Sequence, residues 1–177
     1  MSEFSISSED FKEGGEIPKQ CGYEHGNKPP RLIFKDIPEG TVSLALIMDD
    51  PDAMDAVGKV WVHWLGCNML PEVDLQQNTF DKNNLSKQEL EAYLKNKPPG
   101  PDLGVGELFG THGKTDFCKN NYGGPAPPDK RHTYVFKAYA LEEGHEEPKE
   151  GYSKQELEDL MDGSIIAEVE LTGTYAP

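Results

Sequence analysis

Residues 41–48, TVSLALIM, are apolar at nearly every position. A strand of that composition has both faces covered, because a half-wet strand alternates apolar with polar residues. Three more runs have strand character, at 59–67 (KVWVHWLGC), 133–141 (TYVFKAYAL) and 167–175 (AEVELTGTY), and the last alternates cleanly. Shorter strands are expected at 4–6 and 31–34. The 18 glycines and 14 prolines punctuate these runs, as they do in β-rich folds with long loops.

The hexapeptide SKQELE occurs at 86–91 and again at 153–158. Each copy reads as a capping box, with Ser86 or Ser153 as N-cap and Glu89 or Glu156 three positions on. Leu85 with Leu90, and Tyr152 with Leu157, fit the hydrophobic staple that accompanies such caps. No wider repeat surrounds the two copies. Two short helices are therefore expected, starting near Ser86 and Ser153. Residues 72–118 are polar and carry Pro98-Pro-Gly-Pro101. They hold too few apolar side chains for a core of their own, so they read as an elaborated surface excursion of one domain spanning 1–177.

A chain of 177 residues suits one ordinary domain. It carries 17 Lys and Arg against 32 Asp and Glu, for a formal charge of −15. A surface that acidic repels nucleic-acid phosphates and anionic lipid faces, so no nucleic-acid partner is expected. No apolar run approaches the roughly 20 residues of a membrane helix, so no stable membrane insertion is expected. The N-terminal segment lacks the basic start and apolar core of a signal peptide. Cys21, Cys67 and Cys118 form no C-x-x-C pair and are odd in number. That argues against a disulfide framework or structural zinc and for reduced thiols in a cytoplasmic protein.

Chemistry-bearing residues gather beside the turns. The first long strand runs into Asp49-Asp50-Pro51-Asp52, where Pro51 fixes its own φ and biases Asp50 away from helix. His63 lies inside the aromatic second strand, where regular alternation puts Trp61, His63 and Leu65 on one face and Val62 and Trp64 on the other. Tyr122-Gly-Gly-Pro-Ala-Pro-Pro128 leads through Asp129-Lys-Arg131 to His132 and Tyr134, which share a face of the third strand. Consecutive glycines there let backbone N–H groups approach an anion. Each signal alone also fits a solvated turn, a core histidine or a Pro-rich connection. Together they suit a small pocket for a polar ligand, since imidazolium and Tyr hydroxyl donate to oxyanions and carboxylates orient imidazoles.

In order along the chain, Gly14-Gly-Glu-Ile-Pro18, Gly26-Asn-Lys-Pro-Pro30, the segment 43–53 (SLALIMDDPDA), Val62-His-Trp64 with Asn68, the segment 122–128, His132-Thr-Tyr134 and the closing strand at 167–175 resemble the phosphatidylethanolamine-binding protein family, also called Raf-kinase-inhibitor-like, and in particular its bacterial and archaeal branch. The resemblance runs nearly end to end. It implies antiparallel β-sheets in a sandwich with a few short peripheral helices, and an anion pocket at one end of the strands that accepts phosphate-type groups such as phospholipid head groups. By matching positions it implies Asp50 and Asp52 as pocket carboxylates, His63 on the second strand, Gly124 in the loop whose backbone faces the anion, and His132 and Tyr134 closing the pocket. Met54 stands where the family usually has proline, Ala126 where the prokaryotic branch often has cysteine, and Asp129-Lys-Arg131 where glycine usually precedes the second histidine.

The resulting expectation is a binding protein rather than an enzyme, with no catalytic residue, no cofactor and no metal. Its partners are a small phosphate-type anion or phospholipid head group and, in a modulator role, an unidentified protein. Two other readings use the same residues. One is an acid–base hydrolase pairing Asp50 or Asp52 with His63 or His132, although no Gly-x-Ser-x-Gly elbow accompanies them. The other is a metal site, although no tight motif such as His-Glu-x-x-His is present.

Overall fold

The structure, a computed structural model, describes residues 3–69, 111–144 and 149–177. Among these, eight strands and two α-helices follow one another as β1 (Ser5–Ser8), β2 (Gly15–Glu16), β3 (Leu32–Lys35), β4 (Ser43–Asp50), α1 (Ala53–Val57), β5 (Trp61–Met69), β6 (Thr111–His112), β7 (His132–Leu141), α2 (Lys154–Met161) and β8 (Ile165–Tyr175). β1 pairs with β3 in a small antiparallel sheet. The other six form one sheet in the order β2-β8-β7-β4-β5-β6. Its neighbours are antiparallel, except for β2, which lies parallel to the end of β8. The fold is mainly β, with few and short helices.

β4 is buried along its whole length, as its unbroken apolar run demands. Leu44, Leu46 and Met48 join Trp64, Tyr134, Phe136 and Leu171 on one side of the sheet, beneath Phe4, Ile6 and Leu32 of the small sheet and its approach. Ala45 and Ile47 face the other way, with Leu65, Cys67 and Leu141, and are covered by Tyr152, Leu157 and Met161. Side chains of the last three positions come from α2 and the residue just before its cap. Ser153 and Glu156 make the reciprocal capping box, and Tyr152 and Leu157 are both buried in the same cluster. The helix expected near Ser86 lies outside the described residues.

β4 extends two residues past its apolar run, through Asp49 and Asp50. Both carboxylates are met inside the protein, which allows the strand to continue. Lys154 of α2 donates to Asp49 at 2.7 Å, and Asp50 faces the opposite side of the sheet. Regular alternation fails in β5. Pairing shifts between Met48–Trp64 and Asp49–Val62, so His63 is an extra residue in a β-bulge. Val62 and Leu65 consequently pack on the α2 side, while Trp64 packs on the other. The His63 ring lies 5.1 Å from Tyr134 on that same side. The expected grouping of Trp61, His63 and Leu65 on one face is therefore corrected by the bulge. Most of the excursion expected at 72–118 lies outside the described residues, but its end rejoins the sheet: β6 pairs with β5, and Asp116 N–H donates to the Val62 carbonyl at 3.0 Å.

Candidate functional site

Three strand ends meet at one edge of the large sheet. Asp50 ends β4 opposite Trp61, the first residue of β5, and Asp49 beside it pairs with Val135 near the start of β7. This register brings Asp50, His63, His132 and Tyr134 together, although they are far apart in sequence.

Asp50 is the hub. Its side chain and both imidazoles are buried. Oδ1 accepts from the Ala53 N–H at 3.1 Å, which fixes the turn through Pro51. Oδ2 lies 2.7 Å from His132 Nδ1 and 4.0 Å from His63 Nε2. On its other side, His132 Nε2 lies 2.9 Å from Asp129 Oδ1. Carboxylates only accept, so a ring with one on each nitrogen is a doubly protonated imidazolium. Burial pulls the His132 pKa down, but the Asp50 and Asp129 hydrogen bonds and charges outweigh it and leave it raised.

His63 behaves oppositely. Its Nδ1 donates to the Gly123 carbonyl at 2.6 Å, while its own carbonyl accepts from Gly123 N–H at 2.8 Å. Burial dominates and lowers its pKa, against the smaller raising effects of Gly123 and Asp50. The neutral ring carries its proton on Nδ1, so the Nε2 lone pair faces the hub. Phe117 covers the ring edge-on at 5.4 Å, stacks on Tyr23 at 4.2 Å and meets Trp61 at 5.5 Å.

Tyr134 is wholly buried. Its hydroxyl makes no hydrogen bond of normal geometry, with Asp50 and the backbone of Ala126 near enough to influence it. Burial first, then the Asp50 charge, raise its pKa. Asp52 is placed at the border. It occupies the N-cap position of α1 without capping it, and instead accepts from Thr133 N–H at 2.7 Å, which ties α1 to the start of β7.

Gly124 lies in the adjoining loop, but its N–H donates to Asn27 Oδ1 at 2.7 Å, and Gly123 N–H is taken by His63. Both backbone donors that the sequence offered to an anion are thus satisfied internally. The glycines are required for close approach. A Cβ on Gly123 would collide with the Phe117 ring, and one on Gly124 with the Cys21 carbonyl oxygen.

Sequence reasoning missed Asp129, Phe117 and Asn27. Asp129 precedes His132 by three residues, and only its departure from the family pattern singled it out. Asn27 sits in the quoted Gly26–Pro30 stretch without an assigned role; it also donates to the Tyr122 carbonyl at 3.0 Å. Phe117 carried no signal, since it lies in the polar segment.

The same architecture recurs in known proteins. The family model described as "Phosphatidylethanolamine-binding protein" matches residues 7–176. A UPF0098 protein of Chlamydia trachomatis is 33% identical over 172 residues, covering 96% of this chain and 97% of its own. One from Methanothermobacter thermautotrophicus is 32% identical over 173 residues, covering 97% of each. A crystal structure of a phosphatidylethanolamine-binding protein homolog from Chlamydia trachomatis superposes with a TM-score of 0.77 at 31% identity, covering 99% of this chain and 98% of that one. Escherichia coli YbcL, described as a member of the mammalian PEBP family, gives 0.72 at 27%, covering 98% of each. With the family model matching residues 7–176 and relatives 33% and 32% identical over nearly the whole chain, this chain belongs to the phosphatidylethanolamine-binding protein family.

Proposed function

We propose that this protein binds a small phosphate-type oxyanion, free or as a phospholipid head group, at the Asp50–His63–His132–Tyr134 cluster, and that occupancy modulates a protein partner. The observation that carries this reading is the pair of buried imidazoles flanking one buried carboxylate, next to a buried Tyr hydroxyl without a regular partner. An imidazolium and a phenol are oxyanion donors, and a neutral imidazole becomes one on gaining a proton. Asp52 and Gly124 take part by position: Asp52 fixes the start of β7, and Gly124 lets the loop close against residues 21–23. The family's name supports the ligand class.

Binding is favoured over hydrolysis because, among the described residues, no Ser, Thr or Cys side chain is hydrogen-bonded to either imidazole. A cytoplasmic setting belongs to the same reading, supported by three free cysteines. Among the described residues no helix is long and apolar enough to cross a membrane.

Sulfate is a suitable probe, since it stays fully ionised near neutral pH. Calorimetric titration should show saturable binding to the wild type, weakened about tenfold or more by His63→Ala and by His132→Gln, the scale of one charge-assisted hydrogen bond. Thermal melts confirm that each variant is folded. Unchanged affinity in folded variants would exclude the two histidines as the anion's partners.

A further inference from the structure

His132 is held by two carboxylates of different standing. Asp50 is a strand residue with its side chain 4% exposed, and it already supplies the imidazolium with a buried counterion. Asp129 is a loop residue whose side chain is 45% exposed, although the ring it contacts is fully buried. With both in place, the triad of one imidazolium and two carboxylates is net negative. The cations next to Asp129 in sequence are engaged elsewhere. Lys130 Nζ lies 3.1 Å from Asp55, and Arg131 lies 3.6 Å from Glu16 and 3.2 Å from Thr174 Oγ1. Asp129's side-chain partner is His132, and that hydrogen bond first, with the Lys130 backbone and charge behind it, holds its carboxyl below the usual range.

A carboxylate on Nε2 occupies the place that an outside oxyanion needs. It is tethered three residues from the ring, so it competes at a high effective concentration. We propose that Asp129 sets the anion affinity of this site: its carboxylate holds Nε2 of His132 in the free protein and must swing out before an external oxyanion can take that nitrogen. This rests on the oxyanion reading above and adds its governing residue. The exposure of Asp129 gives it room to leave, while Asp50, buried and tied to Ala53 N–H, stays and keeps the ring charged.

The test is sulfate calorimetry at pH 7 and physiological ionic strength on wild type, Asp129→Ala, Asp129→Asn and Glu142→Gln. Glu142 is an exposed acid just beyond the far end of β7, so its variant controls for loss of one negative charge. Both Asp129 variants should bind sulfate about tenfold more tightly, with Glu142→Gln within about twofold of wild type because distant charges are screened. Wild-type binding with equal or weaker binding in folded Asp129 variants would overturn the role of Asp129 alone, as would an equal gain in Glu142→Gln. Absence of sulfate binding in all four proteins would overturn the oxyanion reading itself, and this inference with it.

Discussion

His63 and His132 lie 5.1 and 6.5 Å from the same tyrosine ring, yet their proton affinities diverge. The difference is the partner. His63 has a neutral carbonyl on one nitrogen and a carboxylate only at 4.0 Å, so desolvation wins. His132 has carboxylates at 2.7 and 2.9 Å, so the charged ring wins. The consequences for stability have opposite signs. A pKa raised above the unfolded value near 6.5 contributes stability below pH 6.5 and loses it as pH rises through the raised value. A lowered pKa contributes above pH 6.5 and loses as pH falls toward the lowered value. Buried His112, also lowered by burial, adds to that acid-side loss. Urea midpoints of the wild type should therefore fall from pH 6.5 to pH 5, and His63→Gln should show a smaller fall, with His112 contributing to the remainder. An identical acid-side slope in the variant would mean that His63 is not buried in its neutral form.

Among the elements, α2 shows how local chemistry and packing agree. Ser153 Oγ accepts from Glu156 N–H at 3.2 Å, and Glu156 Oε2 accepts from Ser153 N–H at 2.7 Å. Ser153→Ala should cost about 1 kcal/mol in urea unfolding, because the box fixes the helix that covers Ala45, Ile47 and Leu65. No measurable loss would mean that packing of Tyr152 and Leu157 alone sets the helix start. This helix was legible from the sequence because capping is local. The four long strands were legible because burial on both faces of β4 leaves an unbroken apolar run and exposure of one face of β8 leaves a two-residue alternation. The bulge at His63 left none: it depends on how β4 and β5 are registered, and one extra residue reverses every face assignment beyond it. α1 was unseen because Asp50 and Asp52 make hydrogen bonds to Ala53 and to distant Thr133, not a recognisable cap. The aspartates and histidines of the site were legible as residue types beside turns. Their partners Asp129, Gly123 and Phe117 were not, because those contacts exist only once loops have folded onto the strand ends.

Taken as a whole, the molecule is strongly acidic, at −15. Its overall field opposes the approach of any anion, so an oxyanion site here must work at short range. A Debye length of roughly 8 Å at physiological salt confines that opposition to nearby charges, and the decisive ones are Asp50, Asp129 and the two imidazoles at the end of β4, β5 and β7. Ligand that favours a protonated His63 must, by linkage, bind more tightly as pH falls toward 6. The most direct measurement follows the imidazole nitrogens by NMR during a sulfate titration at constant ionic strength and pH 6.5. Signals of His63 and His132 should shift saturably with one shared dissociation constant, His63 gaining proton occupancy, while exposed His25 stays unmoved. Shifts confined to His25, or none at His63 and His132 up to millimolar sulfate, would contradict the assignment of this cluster as the anion site.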